Sequence, residues 1–223
     1  MFRETQYDFL ADILKDRSES RLGLFVDHYW RSDPRRLLFA MSRYKFVAKL
    51  LTGTASVLEI GCADGFLGRL VKQEVGNLTL TDFDPVLVDY VNQRLDDRWP
   101  LSAHVHDFVS EPFPVRQDAI YSLDVLEHIE LSNEPAFMRN VATSLQKTGI
   151  FVVGTPSIES QAFASTPSRE GHVNCKSERE LRDTMEAYFE RVFLFSMNDE
   201  VIHTGFGGMA HYRFAVGVVP RVS

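Results

Sequence analysis

The sequence predicts an α/β fold: a doubly wound sheet of seven strands, mostly parallel, ending in an antiparallel C-terminal hairpin and preceded by a helical N-terminal extension. Three observations carry this expectation. From Ser56 to about residue 154, short β-branched runs alternate with helical patterns, as parallel strands joined by crossover helices do. The stretch S-V-L-E-I-G-C-A-D-G-F-L-G, residues 56–68, passes from an apolar run through two glycines straight into a helical pattern. Residues 191–219 hold two strand-like runs joined by the glycine-rich T-G-F-G-G-M-A.

Taken in order, residues 4–52 contain no convincing strand. Phe9, Leu10, Ile13 and Leu14 form one helical stripe, and a polar gap follows at 15–21. Asp33-Pro34 is a helix start, with Asp33 as the cap and Pro34 at the first helical position. The helix it opens is expected to bury Leu37, Leu38, Met41, Ala48 and Leu51 and to stop at Gly53. Strands are predicted over 57–60, 78–82, 101–106, 119–123 and 150–154. Asp84-Pro85 repeats the cap-plus-proline start after the second strand, and a helix near 134–145 precedes the fifth. Residues 155–176 read as irregular. A helix over 177–189 is capped by Ser177 with Glu180 three residues on, and strands over 191–196 and 212–219 complete the sheet. The division expected is a helical extension, 1–52, and a main domain, 53–223.

Length and composition bound the function. At 223 residues with 44% hydrophobic side chains the chain suits one substantial core. A net charge of −7 argues against a long polyanionic partner, so nucleic acid is not the expected one. Two cysteines, Cys62 and Cys175, without regular spacing point to a reducing compartment. The charged N-terminus is unlike a signal peptide, and no apolar run approaches the roughly 18 residues of a membrane span. A cytoplasmic protein that does not enter the membrane is expected; the oligomeric state is left open.

The glycine turn narrows the ligand. Helix N-termini after such turns sit above the carboxyl ends of strands, where open α/β sheets bind ligands, and Gly61 allows close backbone approach. A dinucleotide fingerprint is missing its second glycine, because Ala63 occupies that position, and no G-K-[ST] triplet marks a P-loop. Asp82 ends the second strand twenty-one positions after Gly61, where a carboxylate accepts from both hydroxyls of a ribose. Phe83 is then available to an adenine face. After the third strand, in H-D-F, Asp107 is placed to accept from an exocyclic amine and the Phe108 N–H to serve a ring nitrogen.

The pattern E-I-G-C-A-D-G, followed by T-D-F-D-P, H-D-F and D-V-L-E-H-I, resembles the ordered motifs of class I S-adenosylmethionine-dependent methyltransferases, in particular small-molecule enzymes of the ubiquinone-biosynthesis type. The motifs span residues 57–130. The resemblance implies a Rossmann-like fold and S-adenosyl-L-methionine as cofactor, held by Glu59, Gly61, Asp82 and Asp107, with Leu123 or Asp124 at its methionyl end. It also implies an arginine near the cofactor's carboxylate, for which Arg43 has the right place. The sequence lacks the [DN]-P-P-[YF] of DNA adenine methyltransferases and the Pro-Cys pair of cytosine-C5 enzymes.

Methyl transfer from a sulfonium needs alignment and dryness more than covalent help, and a base only where the acceptor loses a proton. Of the seven histidines, His128 follows the fourth strand and His172 lies in the segment after the fifth, so these are the candidate bases. The same residues admit another use. Asp124, Glu127, His128 and His172 resemble the Glu-x-x-Glu-His plus distant His metal site of small-RNA 2′-O-methyltransferases, although the first ligand here is Asp and no metal is expected. Tyr29, Trp30, Phe163, Phe206 and Met209 are expected around an acceptor pocket. The expected activity is methyl transfer to oxygen or nitrogen of a small molecule. The alternatives are an RNA 2′-O-methyltransferase and a non-catalytic cofactor-binding regulator.

Overall fold

In a computed structural model, residues 22–95 and 99–221 are described, with Gln6 and Leu10 as isolated positions. Apart from Leu10, the stripe predicted from Phe9 to Leu14 lies outside the described residues. One eight-stranded sheet has the order β3-β2-β1-β4-β5-β8-β6-β7. Its strands are β1 Ser56–Ile60, β2 Asn77–Asp82, β3 Ser102–Val105, β4 Gln117–Leu123, β5 Leu145–Pro156, β6 Phe189–Asn198, β7 Val201–His203 and β8 Tyr212–Pro220. The first five pair in parallel, whereas β8 joins β5, β6 joins β8 and β7 joins β6 antiparallel. The seven strands expected are therefore joined by an eighth, β7. Asp199, at φ 51, turns the chain back there, and short polar side chains such as Asp tolerate that left-handed region.

Because strand side chains alternate between faces, the β-branched runs feed two cores. Val57, Tyr121 and Val152 lie in one, with Val47 and Ala48 of the N-terminal helix. Leu58, Ile120 and Phe151 lie in the other, with Phe137, Val141 and Met185. Each such side chain contributes about 1.5–3 kcal/mol by leaving water.

The helices begin where the caps foretold. In α2, Pro34–Leu50, the Asp33 carboxylate accepts from Arg35 N. In α4, Pro85–Asn92, Asp84 accepts from Val86 N. In α7, Glu178–Glu186, Ser177 and Glu180 form a reciprocal capping box. The inward face of α2 differs from expectation: Ala40, Val47 and Ala48 are buried, while Leu38 and Met41 are exposed. Another helix, α1, Leu24–Ser32, precedes it; α3, Gly68–Lys72, follows the glycine turn, and α5, Glu134–Thr143, precedes β5. The stretch expected to be irregular contains a 3-10 turn, Glu159–Phe163, and α6, Thr166–Gly171.

The chain runs from β1 outward through β2 to β3, then returns to β4 on the other side of β1. This reversal opens a crevice at the carboxyl ends of β1 and β4, the place where such sheets take ligands.

Candidate active site

The turn after β1 is more closed than the sequence suggests. Gly61, Ala63 and Gly65 all have positive φ, of 74°, 50° and 67°. The N–H groups of Gly61 and Cys62 both donate to Thr81 O, at 2.8 and 2.9 Å. Ala63 N donates to Asp82 Oδ2 at 3.0 Å, and Phe66 N to Asp64 Oδ1 at 3.0 Å. The helix starts only at Gly68. An open helix N-terminus aimed at the ligand is therefore not what forms here: these donors are spent on shaping the turn.

Glu59 lies beneath that turn and does not line the crevice. It is 1% exposed, and its two oxygens accept from Tyr44 Oη at 2.5 Å and Tyr121 Oη at 2.8 Å. Its carboxyl thus ties β1 to α2 and β4 through the two tyrosines rather than opening onto the crevice where a cofactor contact was expected. Burial outweighs both hydrogen bonds and raises its carboxyl from 4.5 to about 7. Because the folded value lies above the ordinary one, the folded state holds this proton more tightly. The associated stability is present below the unfolded value and is lost as pH rises through about 7. Thermal melts should show stability falling by a few kcal/mol between about pH 4.5 and pH 7, and Glu59→Gln should flatten that slope.

Above the turn is a cavity of about 770 Å³, within the usual size of small-molecule sites. Its floor comes from the carboxyl ends of four strands: Ile60 to Asp64, Asp82 and Phe83, His106 to Val109, and Leu123 to Val125. Asp82 is 6% exposed. Its oxygens accept from Ala63 N and Asp84 N, each at 3.0 Å, and each keeps a lone pair for a second donor. Asp107 is similar, with Oδ1 accepting from Val109 N at 2.8 Å and Oδ2 from Ser110 Oγ at 2.6 Å. Phe83 stands exposed on one wall, while Phe108 is buried against Phe137 and lines the other.

At the far end, Asp124 sits at φ 57 with its N–H on Gly154 O. Strained backbone of this kind costs about 1–3 kcal/mol and clusters at functional sites. Its carboxylate is held by Arg43, whose Nη1 donates to both oxygens at 2.8 and 2.7 Å. The Arg43 guanidinium stacks 3.8 Å above the Tyr212 ring. Arg43 is not itself among the lining residues; it neutralises and orients Asp124, which is.

The two candidate histidines are neighbours, with ring centroids 5.1 Å apart, but only His128 lines the cavity. His128 Nδ1 lies 2.8 Å from Gly171 O. A carbonyl only accepts, so Nδ1 carries the proton and Nε2 keeps its lone pair. His172 Nδ1 faces Gln161 Oε1 at 2.9 Å, and burial pushes this imidazole below its ordinary value, towards the neutral form. Glu127 completes the group. It is buried, accepts from Thr155 Oγ1 at 3.0 Å, and burial followed by the Asp124 charge raises it to about 8. Among the described residues, Glu127, His128 and His172 bring one ligand atom each within 4.8 Å of one another.

With this geometry in view, residues 26–188, well over half of the chain, match the family model of a methyltransferase domain. The chain belongs to this methyltransferase family. Over 126 residues, 56% of its length, the domain is 27% identical to a Mycobacterium tuberculosis protein named "probable S-adenosylmethionine-dependent methyltransferase". It covers 43% of that protein, so the chain spans less than half the length of the curated relatives it matches. Among solved structures it resembles the N-methyltransferase NodS of Bradyrhizobium japonicum in complex with S-adenosyl-L-homocysteine. The TM-score is 0.63 at 20% identity, covering 86% of this chain and 92% of that one. The methyltransferase domain of a bacterial CtHen1 gives a TM-score of 0.66 at 20% identity, covering 81% and 98%. At these identities the likeness speaks for the fold.

The roof of the methyltransferase cavity was only partly legible. Phe25, Val26 and Tyr29 of α1 line it, and Tyr29 was expected. Trp30, Phe163, Phe206 and Met209 were also expected, yet all four are exposed outside it, Phe163 at 92%. Asp64, Ile129 and Asn133 line it without having been singled out.

Proposed function

We propose that the protein transfers a methyl group from S-adenosyl-L-methionine to a small-molecule acceptor, at oxygen in the first instance and otherwise at nitrogen. The observation that carries the choice of oxygen is His128: an imidazole on the cavity wall whose Nε2 lone pair is kept free by the Nδ1–H bond to Gly171 O. A hydroxyl acceptor must lose a proton, and a base of this kind receives it.

In this reading Asp82 accepts from the ribose hydroxyls, Asp107 from the adenine amine, the Phe108 N–H serves a ring nitrogen, and Phe83 packs on the adenine face. Leu123 and Asp124 meet the methionyl end. The cofactor, when bound, supplies an electrophilic methyl group on a sulfonium. The chain's own part is to hold the acceptor in line and to keep water out beneath Phe25, Val26 and Tyr29. The charge of the wall supports a neutral or cationic acceptor. Asp64, Asp82 and Asp107 line the cavity beside an Asp124 already paired with Arg43, and among the described residues no lysine or arginine lines it, so a phosphate acceptor would enter an unfavourable potential.

A second reading, methylation of an RNA 2′-hydroxyl with a divalent cation, draws support from the Glu127, His128 and His172 cluster. The donor set fits a cation: two Nε2 lone pairs and a carboxyl that its surroundings hold protonated up to about pH 8, and that a cation would return to its charged form. Held there, the cation would supply Lewis acidity towards the acceptor oxygen. One assay separates the readings. Incubation with methyl-labelled S-adenosylmethionine, a metabolite extract and total RNA should label small molecules, and EDTA should leave the yield unchanged. Label in RNA that EDTA abolishes and Mn²⁺ restores would favour the second. Tight cofactor binding with no label anywhere would leave a regulatory binding module. No helix among the described residues is long and apolar enough to cross a membrane.

A further inference from the structure

Helix α1 roofs the cavity, yet its own N-cap, Gly23, has no side chain to offer. The second and third N–H groups of a helix are the ones an N-cap side chain normally serves. Here they are served from elsewhere in the fold. Phe25 N donates to Asp64 Oδ2 at 2.7 Å and Val26 N to the same oxygen at 3.3 Å, across 39 and 38 residues. The other oxygen, Oδ1, accepts from Phe66 N inside the glycine turn. Asp64 is 7% exposed, between Ala63 and Gly65, both at positive φ. The approach is close enough that a Cβ on Gly23 would fall 2.2 Å from Asp64 Oδ2, so a side chain there would displace the Asp64 carboxylate from the helix end.

We propose that Asp64 is a positioning residue that caps α1 from the glycine turn, so that shaping the turn around a ligand and closing the roof over it are a single event. Gly61 to Ala63 of the turn and Phe25, Val26 and Tyr29 of α1 line the same cavity. One carboxylate joins the two surfaces. The apolar contacts of α1, where Val26 packs with Ala40 and Leu67, fasten it to its helical neighbours. The Asp64 bonds are the link that registers it against the turn. The inference rests on the cofactor reading above for its ligand, but the link itself exists without ligand.

The test combines hydrogen exchange with S-adenosylhomocysteine binding in the full chain. In wild type, the Phe25 and Val26 amides should be protected without ligand and more so with it. Asp64→Ala should raise their exchange about five- to tenfold, the equivalent of losing a helix cap, and speed ligand dissociation while leaving association nearly unchanged. Asp64→Asn, which keeps an accepting oxygen, should restore much of the protection. Gly23→Ala, which keeps the carboxylate but sets a methyl group against it and so parts Asp64 from the Phe25 and Val26 amides, should reproduce the Asp64→Ala result, and it serves if that variant does not fold. Unchanged exchange at Phe25 and Val26 in folded Asp64→Ala or Gly23→Ala would overturn the proposal. Faster exchange in protein that binds no S-adenosylhomocysteine would instead keep the link and remove the ligand assigned to it.

Discussion

Asp82→Ala is expected to weaken S-adenosylhomocysteine binding about a hundredfold. The Asp82 carboxylate is nearly buried at the cavity floor and retains two lone pairs after accepting from Ala63 N and Asp84 N. Hydrogen bonds to a charged acceptor contribute about 1.5–3 kcal/mol each, and two ribose hydroxyls lost together reach about 3 kcal/mol, or two decades in affinity. The variant should also lose about 1–3 kcal/mol of stability, because Ala63 N and Asp84 N give up their acceptor. Asp84→Ala supplies the control. It removes only the cap on Val86 N, about 1 kcal/mol of stability, and should leave affinity unchanged. Calorimetric titration of both variants reads the difference; equal affinities would take the ribose away from Asp82.

The largest effect on turnover is expected at His128. Once the labelled acceptor is in hand, His128→Ala should lower kcat about 10²- to 10³-fold for a hydroxyl acceptor, the usual contribution of a positioned base. Cofactor affinity should stay within about twofold if the imidazole serves the acceptor, as proposed, and not the cofactor. His172→Ala should cost less, because His172 stands behind His128 and does not line the cavity. An unchanged kcat in His128→Ala, or a larger loss in His172→Ala, would move the base elsewhere.

The parts of this architecture that were legible in the sequence are those set by local rules. Strand periodicity, the Asp33-Pro34 and Asp84-Pro85 starts and the Ser177/Glu180 capping box depend on neighbouring residues, and the structure shows each of them. Asp82, Asp107 and Leu123 converge because they end parallel strands, a consequence of topology that strand order alone conveys. What escaped depends on contacts across the fold. Nothing near Arg43 announces that its partner is Asp124, 81 residues away. Glu59 reads from its motif as a cofactor contact, and nothing beside it announces partners in Tyr44, from a helix, and Tyr121, from an adjacent strand. Tyr29 and Trp30 look alike in sequence. On a helix, however, consecutive residues point about 100° apart, so one faces the cavity and the other faces water. Nothing beside Asp64 announces its partner either, because the helix it caps lies earlier in the chain.

Isothermal titration of the folded wild-type protein with S-adenosylhomocysteine tests the central claim most directly. The account predicts saturable uptake of one ligand per chain, with a negative heat-capacity change from burial of the adenine against Phe83. Absence of any binding heat across several temperatures, in protein whose melt shows it to be folded, would contradict it.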